Sequence, residues 1–187
     1  MKVDIFSIPI FIDKIDLEIL NFPEQELIPT WDSQTPTSFG NGHDSKLSEE
    51  GTAHLCEVIT KNLAEAGLFG QNPRLGFMWR NKYSETDYQD VHIHPHCQWS
   101  FIIYETMKSQ TSFLNPSVKD IQNQIGTSVE GFPLDYKPDL GPGDIIIFPS
   151  FYPHYVCPNP YHEERITFSA NFLVTPQEPA QGSPTDS

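Results

Sequence analysis

A mainly β fold is what this sequence predicts, and three observations predict it. From Leu75 onward the apolar residues come in short runs rich in aromatic and β-branched side chains, the composition that suits a pleated, half-buried surface. The 17 prolines and 11 glycines divide those runs with turns. A third sign is that helical spacing of apolar residues stands out in a single stretch, between Ser45 and Leu68. At 187 residues the chain is long enough for one domain with a sizeable core and short for two, and its 37% hydrophobic and 12% aromatic content marks it as globular.

Taken in order, the elements begin with a strand-like IFSIPIFI. The following LNFPEQELIPTWDSQTPTSFGNGHD holds too many Pro, Asn, Gly and Ser residues for regular structure, so residues 1–45 are expected to pack as an N-terminal arm. Ser45 or Ser48 can cap a helix running to about Leu68, with Leu55, Val58, Ile59 and Leu63 on one face and Gly67 near its end. LGFMWRNKY, QWSFIIYE, TSFLN, DIIIFPSFY and RITFSANFLV then read as strands. The polar span from Pro116 to Gly143 is long for a hairpin connection, a length often found in functional lids. The last segment, PQEPAQGSPTDS, has no large apolar side chain and reads as a disordered tail over residues 176–187.

Charge narrows the partners. With 25 acidic against 11 basic residues the formal charge is −14, which opposes binding to a nucleic acid polymer or an anionic membrane and favours a small, neutral or cationic substrate. No run approaches the roughly 18 apolar residues of a spanning helix, and Asp and Pro interrupt the opening where a signal peptide is continuously apolar. A cytoplasmic location is therefore expected, with room left for a homodimer. Cys56, Cys97 and Cys157 are odd in number and far apart, so they read as free thiols.

Chemistry concentrates in four residues. His92 and His94 stand one residue apart, and far downstream come His154 and Arg165. Two ligands from one strand and a third from a distant strand can hold a metal on one face and leave positions open, while a fixed guanidinium beyond the last ligand can clamp a carboxylate. Asp90 and His96 offer other pairings around the same stretch, and Arg165 has Glu163 and Glu164 nearby as ordinary salt-bridge partners. His43, His54 and His162 are read as structural or surface residues, and Cys97 as a packed thiol.

Read in sequence, Trp79, Asn81, His92-Ile-His94-Pro95, Trp99-Ser100, Tyr104, Phe113 to Pro116, Gly143-Asp144, Phe148-Pro149-Ser150, His154 and the run Glu164-Arg165-Ile-Thr167-Phe-Ser169-Ala-Asn171-Phe172 resemble the iron(II)- and 2-oxoglutarate-dependent oxygenases. The nearest branch is the small prolyl-hydroxylase-like one of bacteria and their phages, and the likeness spans residues 75–174. It implies a double-stranded β-helix (jelly roll, cupin-like) with helices backing one sheet, within a single domain of residues 1–175 whose barrel core is 75–174. By the same resemblance His92, His94 and His154 are the catalytic metal ligands for Fe(II), and 2-oxoglutarate chelates the iron through its ketone and C1 carboxylate. Arg165 then holds the C5 carboxylate, with Thr167 two residues on in an R-x-S/T pattern. Tyr104 and Asn81, with Trp79, are expected to line the pocket. The implied reaction uses O2 to hydroxylate a small molecule or a peptidyl side chain, with release of succinate and CO2.

One position departs from the family's commonest triad, which has Asp or Glu where this chain has His94. The pair His92 with His94 is preferred because it directly precedes Pro95 and the Trp99-Ser100 strand, leaving Asp90 as an entrance residue or a support for a ligand and His96 as a loop residue near the mouth. The difference keeps open a cupin-like metal-binding module without 2-oxoglutarate turnover, or a three-histidine dioxygenase. Arg165-Ile-Thr167 speaks against the latter, which has no co-substrate carboxylate to clamp.

Overall fold

Alternation along one long strand near the end of the chain sorts the protein into two interiors. The computed structural model describes residues 8–30, 33–40, 46–67, 71–125, 133–158 and 163–176. In chain order its elements are β1 (Phe11–Lys14), α1 (Leu17–Leu20), β2 (Ile28–Thr30), β3 (Thr35–Thr37), α2 (Glu49–Glu65), β4 (Gln71–Tyr83), β5 (Gln89–His92), β6 (Trp99–Tyr104), β7 (Thr111–Leu114), α3 (Val118–Gln124), β8 (Asp135–Tyr136), β9 (Asp144–Pro149), β10 (His154–Val156) and β11 (Arg165–Pro176). The strands form two antiparallel sheets, one in the order β1-β9-β6-β11-β4-β3-β2 and one in the order β5-β10-β7-β8.

On β11, Phe168, Ala170, Phe172 and Val174 point to one side, where they pack with Leu55, Ile59 and Leu63 of α2. Arg165, Thr167, Ser169 and Asn171, the residues between, line the cavity on the other side. The neighbouring strands keep the same period. Phe101 and Ile103 of β6 and Ile145 and Ile147 of β9 join the helix-side core, whereas Ile102, Tyr104, Ile146 and Phe148 join a second cluster with Phe113 of β7. One apolar layer thus fixes the larger sheet to its helix, and another fixes it to the smaller sheet.

Helix α2 starts where Ser48 accepts a hydrogen bond from the Gly51 amide at 3.0 Å, with Glu49 and Glu50 in the first turn where the helix dipole favours them. Ser45 and Leu68 lie outside the described residues, as do Ile5 to Ser7 and residues 177–187. Residues 8–30 and 33–40, the described part of the N-terminal arm, are more regular than expected. Asp16 caps α1 by accepting from the Glu18 and Ile19 amides, and β2 and β3 form a hairpin that extends the larger sheet beyond β4. Pro29 and Pro36 face each other across that hairpin. Proline is tolerated on an edge strand, where β2 places Pro29, and Pro36 on β3 precedes Thr37, the residue paired with Asn81 of β4, so these prolines did not prevent strands here. The span from Pro116 to Gly143 likewise carries α3 and β8, with residues 126–132 outside the described set. Among the described residues no helix is long and apolar enough to cross a membrane.

A bulge sets the phase of β4. Ala170 pairs with Met78 but Phe172 pairs with Leu75, so Gly76 and Phe77 together stand against Asn171. Leu75 and Met78 therefore both reach the helix-side core, and Phe77 stacks with Trp79 on the cavity face. A Cβ at Gly76 would lie 3.0 Å from the Asn171 carbonyl oxygen, which is fixed within the sheet. Gly76→Ala is expected to destabilise the protein by about 1–3 kcal/mol through this overpacking, measured by urea denaturation.

Candidate active site

The two sheets enclose a cavity of about 440 Å³ lined from β4, β5, β10 and β11 and by Ser33 and Phe39 of the N-terminal region. Antiparallel pairing brings the distant histidines together: His154 on β10 stands directly opposite His92 on β5. His94 follows β5, its amide donating to the Ser150 carbonyl at 2.9 Å. Ring centroids lie 4.2 Å apart for His92 and His154, 5.0 Å for His94 and His154, and 5.4 Å for His92 and His94. One nitrogen from each falls within 4.8 Å of the others. His96, with a left-handed φ of 64°, lies exposed and outside this cluster, and Asp90 lines the cavity without joining it.

Aromatic side chains flank the cluster. Phe148 lies 4.9 Å from His154 and 6.2 Å from His94, Phe113 5.9 Å from His154, and Trp79 5.6 Å from His94. Burial consequently pushes all three histidines below their ordinary pKa, His94 down to about 4, and the neighbouring rings add to this for His94 and His154. At neutral pH each is an uncharged imidazole, the form that binds metals. The Nδ1 atoms of His92 and His154 lie 2.8 and 3.0 Å from the carbonyls of Asp90 and Tyr152, which can only accept, so both rings present Nε2 to the cluster. This donor set fits a divalent transition metal.

Arg165 forms the other end. It is fully buried, and its Nε, Nη1 and Nη2 have no hydrogen-bond partner among the described residues. Its guanidinium carbon sits 4.0 Å over the Tyr83 ring, an attraction that holds the group without neutralising it. No salt bridge to Glu163 or Glu164 is formed; Glu164 pairs with Lys82. A buried cation of this kind costs several kcal/mol unless an anion reaches it, and the cavity is the direction from which one can come.

The remaining expected residues fall as follows. Thr167 and Asn81 line the cavity and pair across β11 and β4. Asn81 accepts from Thr37 at 2.7 Å and donates to Thr167 at 3.4 Å, so it also ties the N-terminal hairpin to the arginine's strand. Tyr104 pairs with Thr167 on the other side, but it lies beneath the lining, fully buried, with its hydroxyl accepting from Ser109 at 2.9 Å. His54 accepts from the Asp16 amide, a structural contact, and the three cysteines are free. Sequence reasoning missed Tyr83, Phe39 and Ser33, whose positions depend on strand pairing. It quoted Asn171 without a role, although that residue is in phase with Arg165 and Thr167.

Residues 77–171, half of the chain, match the model of a protein family described as "Putative 2OG-Fe(II) oxygenase". No curated protein matches the chain. Among solved structures, a Pseudomonas putida prolyl-4-hydroxylase is similar with a TM-score of 0.50 and 13% identity, over 79% of this chain and 77% of that one. AviO1 from Streptomyces viridochromogenes Tue57 is similar with a TM-score of 0.52 and 11% identity, over 84% and 77%. The non-heme alpha-ketoglutarate-dependent epimerase SnoN from nogalamycin biosynthesis gives 0.52 and 12%, over 79% and 66%. At these identities the likeness concerns the fold alone, the two-sheet jelly roll the sequence led us to expect.

The depressed histidines give a pH dependence of fixed sign. Each binds its proton less tightly folded than unfolded, so below about pH 6.5 the unfolded chain takes up more protons and stability drops. The melting temperature of the metal-free protein is expected to fall from pH 6.5 toward about 4, and less steeply in His94→Gln, as followed by circular dichroism.

Proposed function

The chain belongs to the 2OG-Fe(II) oxygenase family, and from that premise we propose that it is a hydroxylase acting on a small molecule or a peptidyl side chain. Membership implies Fe(II), 2-oxoglutarate and O2. The observation that carries the reading is the buried guanidinium of Arg165, without a hydrogen-bond acceptor among the described residues and opening onto the same cavity as three neutral histidines.

In this reading His92, His94 and His154 hold Fe(II) through Nε2. When bound, the iron supplies oxidative decarboxylation of 2-oxoglutarate to succinate and CO2, with one atom of O2 entering succinate and the other a C–H bond of the substrate. Arg165 binds the distal carboxylate of the co-substrate through paired N–H donors, and Thr167 supports it with its hydroxyl. Tyr83 holds the guanidinium plane from behind. Phe113, Phe148 and Trp79 exclude water around the ligands. At the cavity's outer part Phe39, Ile93 and Pro95 offer apolar surface beside the single acid Asp90, which favours a neutral or cationic substrate, as does the formal charge of −14.

Anaerobic titration of the Fe(II)-loaded protein with 2-oxoglutarate tests this. A saturable visible metal-to-ligand charge-transfer band is expected. His154→Ala should weaken iron binding by orders of magnitude. Arg165→Ala should spare iron and weaken 2-oxoglutarate by about 2–5 kcal/mol, roughly 30-fold or more. Tyr83→Leu should weaken 2-oxoglutarate more than Tyr83→Phe, since the ring rather than the hydroxyl supports the guanidinium. Iron bound with no band would favour the metal-binding module without turnover, and unchanged affinity in Arg165→Ala would overturn the clamp.

A further inference from the structure

All three histidines turn Nδ1 away from one another's ligand atoms, but His94 does so by a different device. His92 and His154 use backbone carbonyls. His94 uses side chains: its Nδ1 lies 2.6 Å from Asn171 Oδ1 and 2.9 Å from Ser100 Oγ. Ser100 donates to the same Asn171 Oδ1 at 2.9 Å and stands 2.7 Å from Ser150 Oγ. Proton counting then gives the network one direction. The single hydroxyl hydrogen of Ser100 goes to Asn171, so Ser150 must donate to Ser100, and His94 must donate its Nδ1–H to Asn171.

Ser100 and Ser150 are fully buried, where hydrogen bonds between them are strengthened. Its members come from three elements that the sheet locks together. Asn171 pairs with Ser100 across β11 and β6, Ser100 pairs with Phe148 of β9, and Ser150 follows β9 directly. The Ser150 carbonyl also accepts from the His94 amide. The β4 bulge brings the bare backbone of Gly76 up to the Asn171 carbonyl, fixing the asparagine.

We infer that Asn171, backed by Ser100 and Ser150, is a positioning residue that fixes the His94 tautomer and ring so that Nε2 faces the metal. The inference rests on the metal reading above. An asparagine turned end for end would set its NH2 against Nδ1, move the proton to Nε2 and remove His94 as a ligand, so the orientation of one amide decides whether the site has two nitrogens or three.

Two readouts test it on the full-length protein. In the metal-free wild type, long-range proton–nitrogen NMR correlations of the imidazoles are expected to show His94 protonated on Nδ1; protonation on Nε2 overturns the inference without any variant. Co(II) affinity is then compared between wild type, Asn171→Leu, Asn171→Ala and Asn171→Asp, with circular dichroism confirming that each is folded. Loss of the acceptor is expected to weaken Co(II) by about 10–100-fold and to let the His94 proton distribute between both nitrogens. Asn171→Asp, which keeps an acceptor of equal length, is expected to restore both affinity and tautomer, a rescue that a purely structural role does not give. Wild-type binding matched by Asn171→Leu, with Nδ1 still protonated, overturns the network alone. A wild type that binds no Co(II) overturns the metal reading itself, and the inference with it.

Discussion

A guanidinium buried without an acceptor among the described residues is the constraint on which the rest of this architecture turns. Taking an ion out of water costs several kcal/mol even after relaxation, and Arg165 recovers only part of that from the Tyr83 ring beneath it. The protein supports the cost with the surrounding sheets, whose apolar layers lie on both sides of β11 and its neighbours. What remains is a standing preference for an anion inside the cavity. The preference is built into the free protein, so an anionic ligand meets a site that needs little rearrangement.

At the opposite end the polarity logic is different. Three neutral imidazoles contribute ligand atoms and no charge, whereas a triad with one carboxylate cancels one unit of a divalent metal's charge. A divalent ion held by His92, His94 and His154 keeps both positive charges, and Arg165 adds a third in the same enclosed space. A dianionic co-substrate answers most of that excess. With His94 as the proposed third ligand in place of a carboxylate, attraction would shift toward anions rather than be abolished, and more of the burden of ring orientation would fall on the groups around the histidine, which here are side chains instead of backbone.

Much of this was legible along the chain because it follows a period of two. Arg165 and Thr167 share a face in any strand, and the histidine pair with its Pro and Trp-Ser sequel marks one end of the site. Illegible was whatever depends on register between segments far apart in sequence. Tyr83 lies opposite Arg165 only because β4 and β11 pair as they do, and the bulge at Gly76 and Phe77 shifts that phase midway. Nothing local announces such a shift. The N-terminal hairpin escaped for a different reason: Pro29 and Pro36 argue against strands locally, and only the tertiary arrangement sets Pro29 on an edge strand and Pro36 just before the Thr37–Asn81 pairing with β4. Asn171 was within reach, since the alternation that selects Arg165 and Thr167 arrives at it two steps later.

The same hairpin bears on how copies of the protein meet. Strand β2 is the last of its sheet, and an outermost strand ordinarily offers a row of open amides and carbonyls onto which another chain can add. Here that strand is three residues long with Pro29 at its centre. The missing N–H interrupts the template where an incoming strand would need it, so this margin terminates lateral growth and resists edge-to-edge aggregation. A segment that holds the cavity-lining Asn81 through Thr37 on one side also acts on its other side as a stopper for the sheet.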